Sequence, residues 1–293
     1  MSGFAARLCA GPRLLLDGGL GTELIARGLP AGWPPERWAL ERPEALMEVH
    51  RAYVAAGCEA IHACTFGANR LRLAPFGLEG AFAELHRQAV ALARAAGPRW
   101  VLGDLGPTGH YRPPVGDGSL ARWRAAFLEQ GALLASLGVD ALHVETMGDL
   151  AEARAALAAL REAAPGLPVL ISLTFDRKRR GFFTMMGDPA EPALRALADE
   201  GAAAVGANCS VTSGDMCALA GLAAALPCPL VLQPNAGQPE VLPGGLRYRQ
   251  EPAAFARDQC AAARAGARVL GGCCGTTPAF LAALRAALDA EAA

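Results

Sequence analysis

The sequence predicts an α/β protein folded as one (β/α)8 TIM barrel over residues 1–293. Three observations carry this. Short apolar runs alternate with amphipathic helical segments through eight cycles, which implies a parallel sheet of the size that closes into a barrel. No composition break marks a linker. Glycines precede several strands, at Gly57, Gly138, Gly201 and Gly266, where helix C-caps belong. The alternative, an open doubly wound sheet, wants Gly-x-Gly-x-x-Gly after the first strand, and Gly18, Gly19 and Gly21 miss that spacing.

The elements follow in order. Residues 13–17 are an apolar run ending in Asp17 and then glycines, which reads as a buried strand bringing a carboxylate to a rim. Residues 29–43, with Trp33, Pro34, Pro35 and Trp38, read as an irregular loop over the mouth. A helix over 43–56 carries Leu46, Val49, His50 and Tyr53 on one stripe. Strand and helix then recur as 60–66 and 79–96, 100–105 and 120–137, and 141–147 and 149–164. They continue as 168–175 and 189–200, 203–209 and 214–226, and 229–234 and 252–265. The last pair is 268–273 and 278–290, where Thr276 or Thr277 can cap and Pro278 suits the first turn.

Composition narrows the function. Apolar residues make up 53% of the chain, enough for a large core, and the net charge is −1. The Arg177-Lys-Arg-Arg180 cluster is too short for a nucleic-acid face. No run approaches the length that spans a bilayer. No secretory leader is evident, and nine cysteines is an odd count. The expectation is a cytoplasmic protein with reduced thiols.

A TIM barrel builds its site from the C-terminal ends of its strands. Those ends offer Asp17, Cys64 with Thr65, Asp104, Glu145 with Thr146, and Ser172 with Thr174. Asn208 with Cys209, Asn235, and Cys273 with Cys274 complete the set. Cys209, Cys273 and Cys274 end two strands separated by one, a span that a tetrahedral metal with sulfur ligands bridges. Neighbouring strand residues face opposite sides, so Cys273 and Cys274 share an ion only if the backbone turns between them; Gly271, Gly272 and Gly275 permit that. Three thiolates leave a fourth metal position open, where a thiol substrate would become a nucleophilic thiolate. Asp17 and Glu145 are placed to hold an ammonium group. The competing readings are buried hydrophobic cysteines, a phosphate cradle at 271–277, Asp17 capping its own turn and Glu145 paired with an arginine.

Four blocks then show a resemblance: Asp17-Gly-Gly-Leu-Gly-Thr-Glu23, Gly206-Ala-Asn-Cys209, Pro234-Asn-Ala-Gly237 and Gly271-Gly-Cys-Cys-Gly-Thr-Thr-Pro278. They resemble the homocysteine S-methyltransferase family, which includes the homocysteine domain of cobalamin-dependent methionine synthase and betaine–homocysteine methyltransferase. Thr65-Phe-Gly-Ala-Asn69 and Asp104-Leu-Gly-Pro-Thr-Gly109 look like further family blocks. The resemblance implies a barrel that holds Zn²⁺ through Cys209, Cys273 and Cys274 and converts homocysteine to methionine. It implies the amino group at Asp17 and Glu145, the carboxylate near the backbone at Gly18, and Asn235 as a temporary ligand.

The pattern departs at strand two. Methionine synthases usually read Glu-Thr-Asn-Thr-Phe there, and this chain reads His62-Ala-Cys-Thr-Phe66. His62 is expected to be a core histidine, and Cys64 is not expected to be a fourth ligand. The length leaves no room for cobalamin or folate domains. The expected donor is therefore methylcobalamin on a separate corrinoid protein or a small molecule, S-methylmethionine or S-adenosylmethionine. A betaine-type donor or a different thiol acceptor is the alternative, and a phosphate-binding lyase or isomerase a more distant one. Trp33, Trp38 and Phe66 are candidates to surround a cationic donor.

Overall fold

Eight of the apolar runs become parallel strands of one sheet in the computed structural model, which describes residues 3–242 and 245–292. The remaining residues of the predicted domain (1, 2, 243, 244 and 293) lie outside the described residues. The strands are β1 (Leu14–Leu15), β2 (Ala60–His62), β3 (Trp100–Leu105), β4 (Ala141–Met147), β5 (Val169–Leu173), β6 (Ala204–Thr212), β7 (Leu230–Asn235) and β8 (Val269–Leu270). They run round in the order β1-β8-β7-β6-β5-β4-β3-β2. At the seam, Glu59 N–H donates to Leu15 O at 3.0 Å, while His62 N–H donates at 3.0 Å to the side chain of Asp17. A carboxylate thus stands in for a backbone acceptor where β1 and β2 meet.

The main helices follow their strands. They span Pro43–Ala55, Phe82–Ala95, Leu120–Ser136, Leu150–Ala163, Ala190–Asp199, Ser213–Ala220, Pro252–Arg264 and Pro278–Ala292. Gly57, Gly138, Gly201 and Gly266 have φ between +75° and +116°, the left-handed geometry of helix ends. The helix expected over 214–226 stops at Ala220 and continues as a 3-10 turn, Gly221–Ala225.

The expected loop over 29–43 is more ordered than its composition suggests. Pro34 and Pro35 start a 3-10 turn at Pro35–Arg37, and a short helix Trp38–Glu41 follows. That turn sends Trp38 into the core, 6% exposed, so it does not face the mouth. Sequence patterning also missed the helices Gly3–Cys9 and Leu20–Ala26. It missed two hairpins as well, Asp176–Lys178 with Gly181–Phe183 and Glu240–Leu242 with Gly245–Arg247. All four are too short to show a period.

The barrel interior has two layers of different chemistry. The lower layer is apolar: Leu14, Leu16, Ala60, Leu102, Ala141, Leu170, Ala204, Val231 and Val269, closed underneath by Phe4 and Leu8. Two residues on, the alternation returns to the same face. There β2, β3, β4, β5 and β7 place His62, Asp104, His143, Ser172 and Gln233, all buried and polar, while β6 and β8 place Gly206 and Gly271. That polar layer is the floor of the site.

Candidate metal centre and pocket

The three predicted cysteines converge. The sulfurs of Cys209 and Cys274 are 4.0 Å apart, as are those of Cys273 and Cys274, and all three lie within 4.8 Å of one another. Sulfurs around a tetrahedral ion at ~2.3 Å stand roughly 3.8 Å apart, so the spacing fits. Charge gives a second reason. Hydrogen bonds from Cys273 and Cys274 hold Cys209 down to about 3. The same bonds raise Cys273 well above its ordinary value, and Cys274 rises to about 12. One thiol of the cluster is thus favoured as thiolate at the expense of the other two, and three thiolates together would require a cation beside them.

The backbone is bent to achieve this. After β8 the chain leaves strand geometry, Gly275 takes φ +78°, and Cys273 and Cys274 turn toward one point, as the flanking glycines allow. Thr276 clamps the bend by donating from both N–H and Oγ1 to Cys273 O, at 3.1 and 2.6 Å. A Cβ on Gly19 would meet Cys273 O at 2.6 Å, so the two glycine loops pack backbone against backbone. On β6, Cys209 and Ser210 have φ of 58° and 52°, and on β4 Thr146 has 61°. These are the positive-φ non-glycine residues of the described chain, and register shifts in β4 and β6 coincide with them. The irregularity re-aims Cys209, which regular alternation after Asn208 would send away from the interior. Asn208 locks the two bulges together. It accepts from Thr146 N–H at 2.7 Å, donates to Thr146 Oγ1 at 2.8 Å, and lies 3.8 Å from the Cys273 sulfur.

The thiols open into a cavity of about 470 Å³, within the range of small-molecule sites. Asp17, Gly18, His62, Asp104, Glu145, Trp33 and Phe66 line it with the three cysteines. A buried chain of hydrogen bonds crosses its floor. His62 Nδ1 is 2.5 Å from Asp17 Oδ1, His62 Nε2 is 2.8 Å from His143 Nδ1, and His143 Nε2 is 2.8 Å from Ser172 Oγ. Burial alone would lower the pKa of His62, but the charge and hydrogen bond of Asp17 override it and raise it to about 10. His143 is pushed well below its usual value by burial and by the His62 charge. Thus His62 donates to both neighbours and His143 donates onward to Ser172.

These pairings correct two of the competing readings. Asp17 does not cap its own turn; it binds His62. The near neighbour of Glu145 is the ring of His143, with Nδ1 at 4.0 Å and the imidazole neutral, rather than an arginine. Burial raises Glu145 to about 7. His62, His143 and Glu145 also sit close enough to ligate an ion, but every imidazole nitrogen there already has a partner.

The other expected residues sort as follows. Gly18 lies at the pocket edge. Asn235 is buried at the end of β7, its amide bonding the Cys209 sulfur and its Oδ1 without a partner. Cys64 lines the pocket outside the three-sulfur group, and burial lifts its thiol well above the ordinary value. Trp33 and Phe66 line the cavity, while Trp38 does not. The phosphate cradle fails on its amides: Gly272, Cys273, Gly275 and Thr276 N–H donate to Asp17 O, Pro234 O, Thr22 Oγ1 and Cys273 O. Patterning named Asn208 without its clamping role and did not single out Tyr248, whose hydroxyl bonds Cys274. Neither role has a sequence signal, because both depend on loops folding back.

Such a mouth defines a class: a TIM barrel able to hold a metal on thiolates beside a pocket for a small polar acceptor. Comparison with known proteins makes it specific. A model of the homocysteine S-methyltransferase family matches residues 14–288. The chain belongs to that family of methyltransferases. It is 32% identical over 301 residues to the homocysteine S-methyltransferase of Escherichia coli, covering 93% of this chain and 94% of that one. It is 31% identical over 294 residues to the methionine synthase of Mycobacterium tuberculosis, covering 93% of this chain and 24% of that protein, so it spans about a quarter of that relative. The metallated form of the E. coli homocysteine methyltransferase MmuM superposes with a TM-score of 0.79 at 30% identity, over 96% of this chain and 98% of that one. A dihydrodipicolinate synthase from Agrobacterium tumefaciens, 18% identical with a TM-score of 0.53, shares the fold alone. Among the described residues no helix is long and apolar enough to cross a membrane.

Proposed function

We propose that this chain is a zinc-dependent methyltransferase that moves a methyl group to the thiol of homocysteine, giving methionine. The observation that carries the reading is the convergence of Cys209, Cys273 and Cys274 on one point of a cavity that also holds buried carboxyls. Zinc bound by those three cysteines would supply a Lewis acid that keeps an acceptor thiol as thiolate at neutral pH. The soft donor set favours zinc over magnesium or calcium.

The chain's own residues do the rest. Glu145 attracts the acceptor's ammonium group, and the backbone at Gly18 meets its carboxylate. Asn235 stands beside Cys209 with an unpartnered Oδ1, and it would be the residue to serve as a temporary ligand to that zinc. Trp33 and Phe66 wall the approach and align the donor's methyl carbon with the acceptor sulfur. The new S–C bond forms as the donor's bond to that methyl breaks, the leaving group taking the electron pair. The sulfur ends as a neutral thioether. All nine cysteines are free, which suits the cytoplasm.

The donor is a methyl-corrinoid protein or a small sulfonium compound, S-methylmethionine or S-adenosylmethionine. Exposed Trp33, Phe76 and Met185 on the segments that follow β1, β2 and β5 give either a surface to meet. The test loads the chain with zinc, adds homocysteine and each donor in turn, and measures methionine. Methionine from a sulfonium compound alone assigns a small donor; methionine only with a methylcobalamin protein assigns the corrinoid. No methionine from any donor overturns the reading.

A further inference from the structure

We infer that Asp104, rather than Asp17, is the carboxyl that joins Glu145 in holding the acceptor's ammonium group. This rests on the reading above that the acceptor is an amino acid thiol.

Asp17 is already engaged on both oxygens. Oδ2 accepts from His62 N–H at 3.0 Å, and Oδ1 pairs with His62 Nδ1 at 2.5 Å. The imidazolium neutralises it, and a second cation brought to the same carboxylate would meet the charge of His62. At position 62 this chain carries histidine where the resemblance leads one to expect glutamate, so the pairing is a feature of this chain.

Asp104 is in the opposite condition. It is 6% exposed and lines the cavity, yet its Oδ1 is buried without a hydrogen-bond partner. A buried carboxyl oxygen left unpaired is costly, and a ligand that supplies donors relieves the cost. Its place is fixed. Thr65 Oγ1 bonds both Asp104 O, at 2.8 Å, and Asp104 N–H, at 3.1 Å. Gln130 in turn donates to Thr65 O at 2.8 Å. The backbone that carries Asp104 is thus held firmly, while its carboxyl group, at the wall of the cavity, has no hydrogen-bond partner in the protein. Glu145 is its neighbour on the adjacent strand, and burial followed by the charge of Glu145 raises the Asp104 carboxyl well above its ordinary value.

The experiment measures binding, by calorimetry on the zinc-loaded chain, of homocysteine and of 4-mercaptobutanoate, the same thiol acid without its amino group. Wild type should prefer homocysteine. Asp104→Asn should erase roughly ten- to hundredfold of that preference by weakening homocysteine alone. Asp17→Asn should change both thiols together. Binding of 4-mercaptobutanoate by a variant shows that it is folded. If Asp104→Asn binds neither thiol, Asp104→Ala, which introduces no amide to satisfy, must show the same selective loss. An unchanged preference in these variants, or a selective loss in Asp17→Asn instead, overturns the assignment and leaves the acceptor reading intact. A wild-type chain that binds neither thiol overturns the acceptor reading, and this inference falls with it.

Discussion

The two ends of the barrel follow opposite rules. At the N-terminal end the strands are regular and the packing is apolar. Phe4 and Leu8 seal the apolar layer, Phe4 meets Trp100 edge-on at 5.7 Å, and Arg7 pairs with Glu59 at 2.6 Å. At the C-terminal end β4 and β6 carry bulges, Thr146, Cys209 and Ser210 take left-handed backbone, and Asp104 and Asn235 keep unpaired buried oxygens. One end minimises free energy; the other retains local strain and open polarity because these aim side chains at a ligand. The barrel's lower half supports its upper half.

That contrast can be broken from either side. The largest effect is expected at the thiols. Cys273→Ser or Cys209→Ser should lose metal retention, and activity should fall by more than the roughly 10–100-fold typical of second-sphere changes, with a nearly unchanged unfolding midpoint. Elemental analysis and activity on the same sample check this; full metal content in Cys273→Ser would remove the assignment. Next comes the floor. Phe4→Ala should destabilise the fold by about 3–5 kcal/mol, read in denaturant, while the folded fraction keeps its metal and its KM. A change in metal affinity there would mean that the two ends are coupled.

Third is the clamp. Asn208→Ala releases the paired bulges, and metal affinity or activity should fall roughly 10–100-fold with a smaller loss of stability. The pH response is subtler. Glu145 is raised to about 7, so its carboxyl takes up a proton as pH falls through that value and no longer attracts an ammonium. The preference for homocysteine over 4-mercaptobutanoate should therefore shrink below about pH 7 and level off above it; a ratio flat from pH 6 to 8 would exclude Glu145. The smallest effect belongs to the lower rim, where Glu59→Gln should cost no more than about 1 kcal/mol and leave binding untouched.

The sequence was most legible where period and residue type act alone. Eight alternating apolar runs located all eight strands, because a buried parallel strand must be continuously apolar. The convergence of the three cysteines was legible because vicinal cysteines between glycines have few other uses. Trp38 was misplaced because two prolines make an aromatic segment look like loop, whereas Pro35 begins a turn that carries the indole inward. Asn208 and Asp104 were visible as strand-end residues, but the clamp made by the first and the role proposed for the second were not. The first depends on Thr146 entering left-handed space and the second on His62 occupying Asp17, both long-range facts with no local signature.

The seam between β1 and β2 ties the wall of the barrel to the floor of the pocket. Asp17 closes the wall by accepting the His62 amide and also pairs with the His62 ring, so in this chain a change at either position disturbs sheet closure and pocket charge together. Glutamate at position 62 would set two carboxyl groups side by side, and one of them would then have to hold a proton or meet a cation.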